Sequence, residues 1–371
     1  MDLNKLLTDA NWMASVNELV VERLIERDPA AFGLKKESSN SRKRRESSPI
    51  NYSQTAWGKM LRDDRLKDPT SYVAKKFRRR FRIPYVIFVK VLVPLCVKHK
   101  IFGSPGRVPV ELKVLACLRM LGRGNVADDM EDMCGMKEST ANRTFTNFVL
   151  YFHEKLYHMF VSFPEGEELK AVLNAYNRMG LPLAAGSMDV THVRLGKCPE
   201  SYKTLCTGKD FFLLWHFNVL QVCLTTILLQ NNLTLRTHMS APNRKVLYCS
   251  HYSCGSYNER TITNNENFCR QVVHGYLSSI EEIIYQENGQ PRLCRGGYFI
   301  VDGGYNKCQW LIDPSPNAVD IKNRMWSEWM ESVRKDVECT FGIIKARFRI
   351  FSQMIQIHNF NLIECAWKTA I

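Results

Sequence analysis

The sequence predicts an α/β fold, a mixed sheet flanked by helices, with an all-α helical region ahead of it. Three observations carry this. Up to about residue 182 apolar residues recur mostly at helical spacing. From residue 183 the texture changes to short apolar runs separated by glycine turns, the pattern of strands. A last long stretch, 323–347, returns to helical spacing. At 371 residues the chain exceeds the usual single-domain size, so two or three units are expected, and a hydrophobic fraction of 45% supports a real core.

Charge divides the chain in the same sense. The net charge is +14, yet residues 1–110 alone hold 23 Lys and Arg against 11 Asp and Glu. A basic first third beside a near-neutral remainder suggests a polyanion-binding portion and a second portion with another task. The 13 cysteines form no compact framework, the first residues lack the basic-then-apolar layout of a secretion signal, and the longest apolar stretch, Tyr85 to Val97, is interrupted by Lys90 and too short to span a bilayer. The expectation is a soluble intracellular protein with reduced thiols and no membrane segment.

In chain order, residues 1–34 read as an amphipathic helical segment, with Leu6, Leu7, Val16, Leu19, Val20 and Leu24 as its apolar points. Residues 35–70 read as a basic, Ser-rich linker; its cluster Arg42–Arg45 suits nuclear import or DNA contact, and equally a solubilising role. Residues 71–182 read as helical. In the segment 74–90, Phe77 and Phe81 face a core while Arg78, Arg79, Arg80 and Arg82 fan out toward phosphates, and Pro84 redirects the chain. Val110, Leu112, Leu115, Leu118 and Leu121 mark the next helix, broken at Gly122 and Gly124. A short helix Val126–Met133, a turn at Gly135 and a helix Ala141–Phe160 capped by Ser139 or Thr140 are compatible with a helix-turn-helix, placing Lys137, Asn142 and Arg143 near the start of a reading helix. A plain scaffold bundle fits that pattern too.

Residues 183–371 read as the sheet-containing domain. Ala184–Val193, His216–Cys223 and Lys245–His251 are strand candidates, the latter two hairpin-paired. Residues 224–242 fit no element and read as an insertion, or as retained intron sequence. Residues 258–284 read as helical, Tyr298–Val301 as a short buried strand, and the final Cys-Ala-Trp-Lys-Thr-Ala-Ile as the middle of a helix, so that the domain reads as C-terminally incomplete.

Three acids stand out in this domain. Asp189 lies in the first strand, Asp302 follows the strand Tyr298–Val301, and Glu338 lies on the long helix beside a core-facing stripe of Val337, Phe341, Ile344 and Phe348. Each alone is weak evidence, since acids are usually superficial. Together, on a strand, after a later strand and on a helix, they suit two hard divalent cations that activate a nucleophile against a phosphodiester, as in RNase H-like arrangements. Gly303 and Gly304 allow a tight turn beside the second acid. Asp313, Asp320 and Asp336 compete less well, in a loop or on another helix face. His192 points away from Asp189 if the strand is extended. Cys249, His251 and Cys254 lack a second pair with zinc spacing. Trp310 packs under the second acid or stacks on a base; Arg334, Lys335 and Lys345 contact DNA phosphates or form a solvated face.

The blocks Gly-Ser-Met-Asp-Val-Thr-His, Val-Asp-Gly-Gly-Tyr and Arg-Lys-Asp-Val-Glu-Cys-Thr-Phe-Gly-Ile-Ile-Lys-Ala-Arg-Phe closely resemble the three catalytic blocks of PIF/Harbinger-type DDE transposases, over roughly residues 70–371. The resemblance implies an RNase H-like fold with Asp189, Asp302 and Glu338 as a triad binding two Mg²⁺ or Mn²⁺, cut-and-paste chemistry on DNA in the nucleus, a Myb-like accessory DNA-binding protein and a homodimer. The chain departs from the pattern at Asn258-Glu-Arg-Thr-Ile, where Glu259 stands for an Asp and Arg260 for a Lys, and in the insertion. These departures keep open a second reading, an inactive, domesticated or decayed transposase that binds DNA or chromatin.

Overall fold

The computed structural model describes residues 50–103, 106–198, 200–207, 214–223, 244–285, 288–305, 308–315 and 319–371. The expected helix at 1–34, the cluster Arg42–Arg45 and the insertion 224–242 lie outside the described residues. The chain divides into two compact units, 1–151 and 152–371. The sequence boundary between 182 and 183 thus falls inside the second unit, because the helix Gly166–Arg178 packs on the first strand of the sheet.

The described part of the first unit contains helices only: α1 (Ala56–Leu61), α2 (Tyr72–Phe81), a helical run Tyr85–Leu92 leading into α3 (Val93–Lys98), α4 (Val110–Arg123), α5 (Asp129–Cys134) and α6 (Glu138–Tyr151). The linker expectation fails over 50–70. Trp57 and Leu66 are buried, and the Trp57 ring meets Phe81 edge-on at 5.3 Å. Burial of a tryptophan outweighs the polar composition around it. Phe77 joins the same cluster, 4.8 Å from Phe81 and 5.4 Å from Phe88. Ser71 caps α2 by accepting from the Ala74 N–H, and Gly124 and Gly135 end α4 and α5 in left-handed conformations. The link from α5 through Gly135 to α6 leaves Lys137, Asn142 and Arg143 exposed.

The second unit is α/β. After α7 (Tyr157–Phe160) and α8 (Gly166–Arg178) come β1 (Ala184–Arg194), the short helix α9 (Lys203–Cys206), β2 (Leu214–Cys223), β3 (Arg244–Cys249) and β4 (Ser253–Cys254). They are followed by α10 (Glu259–Asn265), α11 (Asn267–Val273), β5 (Glu281–Tyr285), β6 (Pro291–Arg295), β7 (Tyr298–Ile300), β8 (Leu311–Ile312), α12 (Ile321–Arg347) and α13 (Phe360–Ala370). The sheet order is β3-β2-β1-β7-β8, with β4 also on β2. β1 is antiparallel to β2 and parallel to β7; β7 is parallel to β8. β2 and β3 pair antiparallel, as the hairpin expectation had it. Residues 281–284, expected as helix, instead form β5, paired with β6; the alternating exposure of Glu281–Tyr285 is a strand period inside an apparently helical run.

Met188, Phe299, Ile300, Val301, Tyr176, Val333 and Met330 form the core beneath the sheet, with α8 and α12 both packed on β1. Among the described residues no helix is long and apolar enough to cross a membrane.

A second, polar core lies under α13. Glu364 and Lys368, both nearly inaccessible, pair at 2.7 Å; His251 Nδ1 lies 2.8 Å and His153 Nε2 3.9 Å from the same carboxylate oxygen. The Lys368 ammonium sits 5.2 Å above the Tyr157 ring. Burial, then the Lys368 charge, pushes His153 down, against Glu364 and Glu154; burial and Lys368 likewise lower His158. Both rings are therefore neutral in the folded unit at pH values where the unfolded chain protonates them, near 6.5. Their contribution is fully present above about pH 6.5 and is lost as pH falls through that value toward their lowered folded values. Thermal melting at pH 7.5 and 5.5 is expected to show a lower Tm at 5.5, and His153→Gln is expected to shrink the difference; an equal loss in wild type and variant would exclude His153 as a source.

Candidate active site

Register places the first two acids together. Ser187 pairs with Ile300 across the parallel β1–β7 ladder, so Asp189 and Asp302, each two residues further on, stand at the same level of adjacent strands. The β7–β8 ladder extends past Ile300, where Val301 N–H donates to Ile312 O, and the chain then turns. Asp189 Oδ1 accepts from its neighbour Val190 N–H at 2.8 Å; Asp302 Oδ1 accepts from Gly304 N–H at 2.9 Å.

Burial pushes the Asp189 carboxyl up to about 6; the Val190 N–H and Arg334 oppose this, while Asp302 and Glu338 add to it. Asp189 therefore lies within the electrostatic reach of both other acids.

The connection to Glu338 runs through Arg334. Its guanidinium, 7% exposed, reaches Asp189 Oδ2 at 3.3 Å, Glu331 Oε1 at 2.7 Å and Glu338 Oε1 at 2.7 Å. Its Nε also donates to Glu331 Oε2 at 2.9 Å. Glu331, Arg334 and Glu338 share one face of α12 at i, i+3 and i+7, and that face turns toward β1. Hydrogen bonding to Glu331, ahead of the Asp189 charge, raises the guanidinium further above its ordinary range, so it is a permanent cation among carboxylates. Arg334, expected on DNA phosphates or on a solvated face, is instead buried, its donors taken up by Glu331, Glu338 and Asp189. Glu331 was not singled out, although its spacing to Arg334 and Glu338 was visible.

Glu259 approaches the second acid. A Cβ on Gly304 would lie 2.8 Å from Glu259 Oε2 and 3.0 Å from Asp302 Oδ1, so two carboxylates converge over the missing side chain. A side chain at 304 would have to displace the Glu259 carboxylate, whereas Gly303 borders open space. Glu259 opens α10, whose cap Asn258 accepts from the Thr261 N–H at 2.9 Å. Below them Tyr305 is buried, its hydroxyl held well above the ordinary range by burial and then by Asp189.

These donors are hard oxygens of the kind Mg²⁺ and Mn²⁺ prefer, and the cradle over Gly304 suits a cation. Among the described residues, however, no group of three or more His, Cys, Asp or Glu could hold a metal ion as the side chains stand. Arg334 already bridges Asp189 and Glu338. The carboxylates fit the ion in chemistry, and engaging it requires those contacts to Arg334 to be exchanged.

The other candidates scatter. Lys345 Nζ donates to His192 O at 2.7 Å, its pKa lowered to about 8 by burial and by Arg194. Lys335 is exposed on α12, and Asp336 sits on another face from Glu338. His192 is exposed, unlike Asp189. The half-buried Trp310 packs against Gly296, where a Cβ would lie 2.2 Å from its ring. In the first unit Arg78 and Arg79 are exposed, Arg80 is half-buried, and Arg82 Nε donates to Gly122 O at 3.1 Å.

The fold and site define an α/β protein with an acid–arginine cluster at the ends of two parallel strands. Residues 238–371 match the Plant transposon protein family, a stretch that includes Asp302 and Glu338 but not Asp189. A protein described as ALP1-like, from Arabidopsis thaliana, is 22% identical over 266 residues, 70% of this chain. The chain spans 59% of the length of that relative. No solved structure matches. Together these similarities support a transposase-related DDE family.

Proposed function

We propose that the chain is a metal-dependent DNA transposase or endonuclease of the PIF/Harbinger type, with an RNase H-like catalytic core and Asp189, Asp302 and Glu338 as its acids. The observation that carries the reading is the level placement of Asp189 and Asp302 on neighbouring parallel strands, with Glu338 tied to Asp189 through one arginine. The strand order, an antiparallel β1-β2-β3 meander with β7 and β8 added parallel beyond β1, supports the same core. Asp189, Asp302 and Glu338 would hold two divalent cations, with Glu259 beside Asp302. When bound, such ions activate a water or 3′ hydroxyl and stabilise the leaving oxygen.

What the chain's own residues do can be stated separately. Asp189, with its pKa raised to about 6, is mostly ionised at pH 7; Val190 N–H holds its Oδ1 and Arg334 its Oδ2. Arg334 holds Asp189 and Glu338 in one orientation. Lys335 lies exposed on the helix carrying Glu338, where a DNA phosphate can meet it. Arg78, Arg79, Lys137 and Arg143 supply exposed cations in the helical unit, a helix-turn-helix in this reading. A nuclear location, a homodimer and a Myb-like accessory protein belong to the same proposal.

One observation favours a second reading, a non-catalytic DNA- or chromatin-binding descendant: Asp189 and Glu338 are already neutralised by Arg334 without an ion. Supercoiled plasmid separates the two. The enzyme reading expects nicking that requires Mg²⁺ or Mn²⁺ and stops with EDTA. The binding reading expects salt-sensitive DNA retention, unchanged when all three acids are replaced, and no nicking at any divalent concentration.

A further inference from the structure

The packing of α2 on α4 creates a cleft of about 390 Å³ lined by Arg79, Arg80, Arg119 and Arg123. We infer that this cleft seats a phosphate of a nucleic-acid backbone, and that Arg119 is its anchoring residue. The inference deepens the DNA-acting reading but does not depend on the acids.

Arg119 carries the argument. Its Nε is buried and has no hydrogen-bond partner. Buried polar groups are almost always satisfied, so an orphaned donor on a side chain that lines a cleft points to a missing acceptor. Burial lowers its pKa, and the charges of Arg123, Arg80 and Arg82 lower it further; only Asp129 opposes them. Asp129 itself accepts from Asn125 Nδ2 at 2.6 Å. The cluster thus gathers like charges around a half-buried guanidinium with one acid nearby, an arrangement that an anion would stabilise. Arginine forks match phosphate oxygens in pairs, which suits this ligand better than a simple halide.

The cleft is fixed by backbone. Arg82 ends α2 in a left-handed conformation, φ 68°. Its Nε holds Gly122 O, and its stem crosses Gly122 so closely that a Cβ there would lie 2.7 Å from Arg82 Cγ. The C-terminal turn of α2 is thereby pinned to the last turn of α4. Cations at helix C-termini are favourable in themselves, which accounts for the exposed Arg79 and Arg123. It does not account for a buried Nε without an acceptor. Exposed Arg78 and Lys75 continue the positive surface along α2, the layout of a backbone track rather than of a closed pocket for a small anion.

The test is fluorescence anisotropy of the full chain on a short labelled DNA duplex in EDTA, titrated with salt. Arg119→Met is expected to weaken binding about tenfold and to reduce the slope of log K against log salt by about 1, one phosphate contact. Arg119→Lys is expected to restore the slope, and Arg65→Gln, an exposed arginine paired with Asp63, to change neither. If Arg119→Met melts below the assay temperature, the rim variant Arg79→Gln with Arg80→Gln gives the same reading from exposed and half-buried positions. Unchanged slope and affinity in a folded variant would overturn the inference. So would Arg119-dependent binding of inorganic phosphate with an unaltered DNA slope, which would assign the cleft to a free anion. A protein that fails to nick plasmid can still pass this test, and an active nuclease can fail it, so the two proposals fall separately.

Discussion

Arg334→Ala is expected to destabilise the second unit by about 2–4 kcal/mol at pH 7. Removing one partner of a buried ion cluster typically costs about 3–5 kcal/mol, because the charges left behind remain desolvated. The lower range applies here because Glu331 and Glu338 are 31% and 48% exposed and water screens them, while Asp189 at 13% is not so relieved. For a unit of this size the loss corresponds to about 5–15 °C in Tm. Arg334→Lys is expected to fall between, since one ammonium cannot satisfy three carboxylates held in a fork. Thermal melting of the metal-free protein in EDTA reads both. A Tm for Arg334→Ala within a degree of wild type would mean that the guanidinium does not hold the acids together.

Asp189→Asn is expected to act in the opposite direction on stability and to abolish cleavage. The Asp189 carboxyl titrates near 6 in the folded protein against an ordinary 3.8. A raised folded value means that the fold favours the protonated form. That contribution is fully present below about pH 3.8 and is lost as pH rises to about 6; beyond it the ionised group costs on the order of 2–3 kcal/mol. The neutral asparagine removes the cost. Its Tm in EDTA is expected to exceed wild type at pH 7.5, with the gain shrinking toward pH 4, whereas divalent-dependent cleavage falls by about 10³-fold or more. A variant less stable than wild type at pH 7.5 would show that the Arg334 contact outweighs the burial of Asp189. This is the familiar opposition between a strained site and a stable fold.

The three acids were legible because each ends or interrupts a local pattern: an apolar strand run at Asp189, another ending at Asp302, and a helical stripe flanking Glu338. Arg334 was read as surface because helix periodicity shows which residues share a face but not what that face packs against. Only the contact of α12 with β1 makes it interior. The same limit hid Trp57, whose burial depends on Phe81 and which composition assigned to a linker. The strand Glu281–Tyr285 was lost because Ile283 and Ile284 suit either period in so short a run. The boundary between the units moved to 151 because a helix belongs to the sheet it covers, a relation that no property of 152–182 alone displays.

The measurement that bears most directly on the central claim is nicking of supercoiled plasmid by wild type and by Glu338→Gln, in Mg²⁺ and in Mn²⁺. Glu338 is half-exposed, so the glutamine variant is expected to keep its fold, and thermal melting and DNA binding of both proteins are measured alongside. The account predicts nicking by wild type alone. Equal nicking by both proteins would remove Glu338 from the site. Absence of nicking by a folded, DNA-binding wild type would contradict the catalytic account and leave the acid–arginine cluster as a structural element of a binding protein.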